Sequence, residues 1–364
     1  MSETRAALLT EFNAPLSMET VELAAVHDRD VRVRLDMAAI CYSDILVQQG
    51  FSFNSFPMLI GHSGTGIVEE VGSRVTRVSV GDRVVVACTT ECGECLYCTQ
   101  QAPGACERVF RPDGERVLGV TSDGRDVVAD GGIGIYAQRS IYDEGTVVSI
   151  DVDVPVEHAC MLGCGIVSGY AAVTSLARIP AGASVSVSGA GQFGLWIVQA
   201  ARLAGARRII AVEPIESRRE LAFRMGASDV VDPAVEDPVQ RVRSLTGGHG
   251  VDFAFEAAGP PEAMQQSYSM ARFGGTVIPT GLSTIGATVT LDAIEYAVSS
   301  RRILSSQTGG GFIHRDIPRF ARMLAAGQID PTPLGAQTYA LEDINVALDR
   351  MRAREIVSAV VDLR

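Results

Sequence analysis

Val185-Ser-Val-Ser-Gly189-Ala-Gly191-Gln-Phe-Gly194 runs from an apolar stretch straight into the amphipathic segment Leu195–Leu203. Glycines at Gly-x-Gly-x-x-Gly spacing, set between a strand and a helix, suit a turn that cradles a dinucleotide. The first glycine permits the tight turn, and the second lets backbone approach a pyrophosphate. The third lets helix pack on strand, and the helix N-terminus supplies partial positive charge. In a chain with 37 glycines the spacing alone says little. The next strand adds weight, because Ile209-Ile-Ala-Val-Glu213 ends in an acid 24 residues after Gly189. A carboxylate there can accept both hydroxyls of an adenine ribose and repel the 2′-phosphate of NADP. Glu216 adds to that repulsion, whereas Arg218 and Arg219 oppose it. The expected cofactor is NAD rather than NADP, contacted by Gly189, Gly191, Gln192, Phe193, Gly194, Glu213 and Arg218.

Outward from this turn the texture is regular. Apolar strands at Ser184–Ser188, Arg208–Glu213, Asp229–Val231, Val251–Glu256, Thr276–Thr280 and Arg302–Gln307 alternate with helical stretches such as Ser217–Met225. Near-continuous apolar strands separated by helices signal a parallel, doubly wound sheet. Six of them predict one Rossmann dinucleotide-binding domain over residues 166–304. The first 150 residues read as β-rich, with short runs at Val31–Leu35, Gly66–Val71, Arg83–Ala87 and Thr146–Ile150 between Gly, Asp and Ser turns. Towards the C-terminus, Ile317–Ala326 and Leu341–Ala353 read as helices and Val357–Asp362 as a closing strand. The Gly- and Asp-rich stretch 102–132 reads as a loop.

At 364 residues, 47 % of them hydrophobic, the chain is long enough for two cores. A net charge of −12 argues against nucleic acid or an anionic membrane surface as partner. All 31 basic residues are arginine. The absence of lysine excludes Schiff-base catalysis, a P-loop lysine and a Tyr-x-x-x-Lys pair. With neither a membrane-length apolar run nor a signal-peptide pattern at the N-terminus, the expected location is cytoplasmic and the expected partner a small molecule.

Eight cysteines in such a chain call for metal or redox chemistry rather than a disulfide framework. Cys92-Gly-Glu-Cys95-Leu-Tyr-Cys98 and then Cys106 offer four thiolates within 15 residues. That is a closed tetrahedral shell for a structural zinc. A second set is dispersed: Cys41-Tyr-Ser43-Asp44, Gly61-His62 and Gly163-Cys164-Gly165. Two thiolates and an imidazole match an open catalytic zinc pattern with a fourth position for water or substrate. Sequence distance alone does not join these three.

A resemblance joins them. Cys-x-Ser-Asp, Gly-His, the four-cysteine run, Gly-Cys-Gly-x-x-Ser-Gly-Tyr and Gly-x-Gly-x-x-Gly occur in one order over essentially the whole chain. In this the sequence resembles the zinc-containing medium-chain alcohol dehydrogenases. The resemblance implies a GroES-like catalytic domain, residues 1–165 and 305–364, interrupted by the Rossmann domain, with the zinc lobe at about 88–110. It implies two zinc ions per chain, with Cys41, His62 and Cys164 the catalytic ligands and Cys92, Cys95, Cys98 and Cys106 the structural ones. Ser43 becomes the hydroxyl that takes the alcohol proton, Asp44 the partner that orients His62, and Ser168 a neighbour of the nicotinamide. A homodimer or homotetramer is implied as well. Cys88, Cys160 and the histidines at 27, 158, 249 and 314 match no ligand position, and the two cysteines are read as packing residues.

Several positions depart from the family pattern. Ser63 stands where a glutamate usually follows the ligand histidine, and Leu46 where many members carry a relay histidine. Tyr42 and Val357 stand at two arginine positions, and Phe193 replaces a smaller valine. The expected reaction is hydride transfer between an alcohol or aldehyde and NAD(H). Phe51, Phe53 and Phe56 suggest an apolar pocket for a primary or aromatic alcohol. Two alternatives are a reductase of an activated C=C or C=N bond and a non-catalytic relative that keeps the fold. Intact ligands and Ser43 count against the second.

Overall fold

The computed structural model describes residues 3–109, 115–305 and 307–364. The chain forms two compact units, Met1–Val167 with Phe312–Arg364, and Ser168–Gly311. No single helix among the described residues is long and apolar enough to cross a membrane.

The second unit holds a six-stranded sheet, all of whose pairs are parallel. Its spatial order is Asp229–Val231, Arg208–Val212, Ser184–Ser188, Val251–Glu256, Ala271–Pro279 and Arg302–Ile303. The strands thus run third, second, first, fourth, fifth, sixth, which is the doubly wound Rossmann order. Ser184–Ser188 is buried at every residue, as a strand covered on both faces must be. The helix Gln192–Leu203 packs onto it through Leu195, Trp196, Ile197 and Val198, all fully buried. Each aliphatic residue of that set contributes about 1.5–3 kcal/mol by leaving water. The sixth strand covers only Arg302–Ile303 of the expected Arg302–Gln307. Ser306 lies outside the described residues, and Gln307–Gly310 forms a 3-10 turn.

The first unit is β-rich. Glu3–Leu9, Ser17–Leu23, Val117–Thr121, Asp126–Ala129 and Met58–Leu59 close into a barrel. Beside it stands a sheet ordered Val147–Ser149, Arg83–Val86, Gly64–Val71, Asp30–Ala39, Ala359–Asp362 and Gln337–Ala340, with Arg139–Asp143 also pairing Asp30–Ala39. The expected loop over 102–132 therefore contains two barrel strands. Both are short, and the tight turn between them, with Gly124 N–H bonded to Thr121 O, interrupts any alternation. Residues 110–114 of that stretch lie outside the described residues.

The C-terminal segment returns to this unit through Ala359–Asp362, antiparallel to Asp30–Ala39. Its helix Ile313–Ala325 begins four residues before the expected Ile317. Pro318 would suit the first turn of a helix starting at Ile317 and instead lies inside the longer one. The earlier start is held by acids: Glu91 Oε1 accepts from Ile313 N at 2.6 Å, and Asp316 Oδ2 from Phe312 N at 2.9 Å. Leu341–Asp343 is a 3-10 turn, and the last helix is Ile344–Arg352.

Candidate metal centres and cofactor turn

The four-cysteine lobe folds on local hydrogen bonds. Cys92 Sγ accepts from the amides of Glu94 and Cys95 at 3.4 and 3.2 Å, and Cys95 Sγ accepts from Cys98 N at 3.5 Å. Burial opposes the Cys95 thiolate, but amides of Cys98 and Glu107 outweigh it and bring the thiol down to about 6. Cys92 Sγ lies 3.9 Å from Cys98 Sγ, and Cys95 Sγ lies 4.0 Å from Cys106 Sγ. These distances are far too long for disulfides. They match a tetrahedron with metal–sulfur bonds of about 2.3 Å, whose edges are about 3.8 Å. Arg108 pairs with Glu94 and Asp143, and Arg77 bonds the carbonyls of Glu91 and Cys92, so positive charge stands beside the sulfurs.

The dispersed set also converges. The ligand atoms of Cys41, His62 and Cys164 all lie within 4.8 Å of one another. Cys41 precedes the helix Tyr42–Gln48, His62 follows the strand Met58–Leu59, and Cys164 ends the 3-10 turn Cys160–Gly163. A hydrogen bond from Cys164 holds the Cys41 thiol well below its ordinary value against the opposing effect of burial. Burial disfavours a charged His62 ring, but the Asp44 carboxylate overcomes this and pushes its pKa well above the ordinary value. Asp44 Oδ1 lies 2.8 Å from His62 Nδ1, which fixes the proton there and leaves the lone pair of Nε2 in the neutral ring free for a metal. Ser43 Oγ is 3.5 Å from that Nε2. Two thiols and an imidazole nitrogen, with the Ser43 hydroxyl beside them, fit zinc with one coordination position free.

The departures have structural readings. Ser63 Oγ, buried, donates to Cys160 O at 2.6 Å and so ties two segments together. Cys88, read from sequence as packing, hydrogen-bonds Cys164 and donates its amide to Gly163 O at 2.9 Å. It belongs to the immediate surroundings of the ligand set, whereas Cys160 is buried with its thiol pushed up by burial. Phe53 is 93 % exposed and Phe56 meets Phe12 edge-on at 4.8 Å. Phe53 thus lines no enclosed pocket, because its loop turns it to solvent. His314 Nε2–H donates to Gly145 O at 3.1 Å, and burial lowers the pKa of the ring to about 4. Sequence reading missed Tyr136, whose hydroxyl donates to Asp44 Oδ2 at 2.6 Å. No spacing in the sequence marks it.

The glycine turn has the form its sequence requires. Gly189 sits at φ +93°, and a Cβ on Gly194 would run into Gly189 O. Gly191 caps the helix Gln192–Leu203 and has open space where a Cβ would stand. Glu213 is buried, with Oε2 accepting from Ala190 N at 2.8 Å and Oε1 from Ile215 N at 3.0 Å. It therefore clasps the turn to the end of the second strand. Gln192 and Phe193 open the helix, half-buried; Arg218 is half-buried in the first turn of Glu216–Met225. Arg219 is spent on Asp232 at 2.9 Å and on the carbonyls of Glu213 and Pro214. Ser168, buried, lies on the helix Gly165–Ala171 that follows Cys164.

Known proteins share this organisation. Residues 27–152 match the alcohol dehydrogenase GroES-like domain, and residues 193–326 the zinc-binding dehydrogenase family. The chain is 33 % identical to S-(hydroxymethyl)glutathione dehydrogenase of Synechocystis sp., over 99 % of both chains. It is 31 % identical to alcohol dehydrogenase 6 of Rattus norvegicus, over 98 % of this chain and 97 % of that one. Among solved structures, benzyl alcohol dehydrogenase from Acinetobacter calcoaceticus superposes with a TM-score of 0.92 at 28 % identity, covering 100 % of each chain. With a GroES-like unit, a Rossmann unit and both sulfur clusters in place along its length, the chain belongs to the zinc-containing alcohol dehydrogenases, oxidoreductases that interconvert alcohols and aldehydes.

Proposed function

We propose that this chain is an NAD-linked dehydrogenase of primary or aromatic alcohols. Cys41, His62 and Cys164 would hold a catalytic zinc, and Cys92, Cys95, Cys98 and Cys106 a structural one. The reading is carried by the open three-ligand set with Ser43 Oγ 3.5 Å from His62 Nε2. When bound, zinc supplies Lewis acidity toward an alcohol or carbonyl oxygen, and the nicotinamide supplies the hydride acceptor. Ser43 Oγ takes the alcohol proton, and Asp44 keeps His62 in the tautomer and orientation that serve the metal. Because Leu46 carries no titratable group, the proton passes from Ser43 to water or a cofactor hydroxyl. The glycine turn at Gly189–Gly194 takes the pyrophosphate. Glu213 favours NAD by placing negative charge at the ribose end, and Arg219, committed to Asp232, does little to attract a 2′-phosphate.

Self-association fits as well. Leu282, Ile285, Ile294, Tyr296 and Val298 are all more than half exposed, and both residues of the edge strand Arg302–Ile303 are exposed. Exposed apolar side chains in the segments leading to the last strand of the sheet suit a second copy of this chain. The purified protein should carry about two zinc ions per chain and sediment as a dimer or tetramer. It should reduce NAD, in preference to NADP, with primary or benzylic alcohols. A folded, active protein without metal would sink the zinc reading. Turnover confined to enones or imines would move the assignment to the reductase alternative.

A further inference from the structure

The carboxylate of Asp44 is only 1 % exposed and has three protein partners. Oδ1 meets His62 Nδ1 at 2.8 Å, and Oδ2 accepts from Cys41 N at 2.9 Å and from Tyr136 Oη at 2.6 Å. Tyr136 is fully buried. Its ring rests against Gly61, where a Cβ would stand 2.8 Å from Cε2 and Cζ. Gly61, at φ +87°, therefore both turns the chain into His62 and leaves room for the phenol. The Tyr136 backbone is fixed too, with Ala7 N donating to its carbonyl at 2.9 Å and its own amide donating to Ile60 O at 3.3 Å. Phenylalanine would fill the same volume with no polar atom to satisfy. A hydroxyl at a dry position is costly unless it is bonded, and here its bond goes to Asp44.

We infer that Tyr136 is a positioning residue for the metal-facing imidazole. Its hydroxyl anchors Oδ2 of Asp44, Asp44 anchors Nδ1–H of His62, and Nε2 is thereby aimed at the side shared with Cys41 and Cys164. Burial and the Asp44 charge push the phenol well above its ordinary value, so the hydroxyl stays a donor throughout the working pH range. The chain of bonds starts at a residue whose backbone is tied to the barrel strand Glu3–Leu9 through Ala7, and that rigidity reaches the ring through two side chains. The inference rests on the reading of Cys41, His62 and Cys164 as metal ligands.

The test uses cobalt-loaded whole protein as wild type, Tyr136→Phe, Asp44→Asn and the double variant. It follows the visible ligand-field bands and the rate at which a chelator removes each metal. Loss of a histidine's own partner typically costs 10–100-fold in metal affinity, so a partner one bond further out should cost about 3–10-fold. Tyr136→Phe should release the Cys41–His62–Cys164 metal faster by that factor and shift its bands. The metal of the four-cysteine lobe should leave at the wild-type rate, which separates positioning from general destabilisation. In the Asp44→Asn background the Tyr136 change should add nothing, because the two residues act through one path. If Tyr136→Phe does not fold, 3-fluorotyrosine at position 136, a stronger donor of the same shape, should slow release instead. Unchanged bands and release in Tyr136→Phe, or full additivity with Asp44→Asn, would overturn the inference. A wild type that holds metal only in the four-cysteine lobe would overturn the metal reading and this inference with it.

Discussion

The two sulfur-bearing clusters of the first unit are assembled in opposite ways. In the lobe, four thiols drawn from 15 consecutive residues face one another and are braced by amides of the same segment. In the other site two thiols and an imidazole come from three distant segments, and part of their support comes from distant segments too. Asp44 and Tyr136 are 92 residues apart, and Ser63 bonds a carbonyl 97 residues on. A closed local shell leaves a metal nothing to do except hold the chain. An open, dispersed shell needs a finished fold before it exists, so it adds little to folding and leaves a position for chemistry.

The sharpest way to break this contrast is to remove one sulfur from each site. Cys95→Ser should unfold the lobe and lower the melting temperature steeply, since structural zinc in small folding units is worth on the order of 10–16 kcal/mol. Cys164→Ser should leave the melting curve near wild type and abolish turnover. If both variants melt alike, the division between holding and reacting is wrong. Next in size is Ser43→Ala, which should keep both metals and slow alcohol oxidation by about 10²–10⁴-fold. Stopped-flow measurement of the first turnover checks it, and an undiminished rate would send the proton by another route.

Glu213→Gln is the smallest and carries the contrast into the second unit. Loss of hydrogen bonds to a charged acceptor should weaken NAD by about 1.5–3 kcal/mol and narrow the preference over NADP. Calorimetric titration with each cofactor decides it. Because Glu213 also clasps the turn through Ala190 N and Ile215 N, a parallel fall in melting temperature would show how much of its role is holding.

What could be read from the sequence follows the same division. Ser184–Ser188, Asp229–Val231 and Val251–Glu256 are strands with the expected bounds, because buried parallel strands announce themselves in consecutive residues. The four-cysteine spacing is likewise local. The ligand trio became legible through resemblance, since nothing in the segments around residues 41, 62 and 164 joins them. Tyr136 and the Glu91 contact that starts the helix Ile313–Ala325 stayed hidden for the same reason. Glu91 and Ile313 are 222 residues apart, and their bond is a product of packing with no periodic trace. The two barrel strands within 102–132 were lost to their shortness.

The choice of cation has a chemical consequence of its own. Positive charge is carried by arginine at all 31 basic positions, including Arg77 and Arg108 beside the thiolate lobe. Aldehydes condense with primary amines at neutral pH, whereas a guanidinium stays protonated and is a poor nucleophile. An enzyme that turns alcohols into aldehydes makes, at every turnover, a reagent for lysine. This chain offers no side-chain amine for that product to capture, so its ion pairs and its surface charge survive the chemistry it performs.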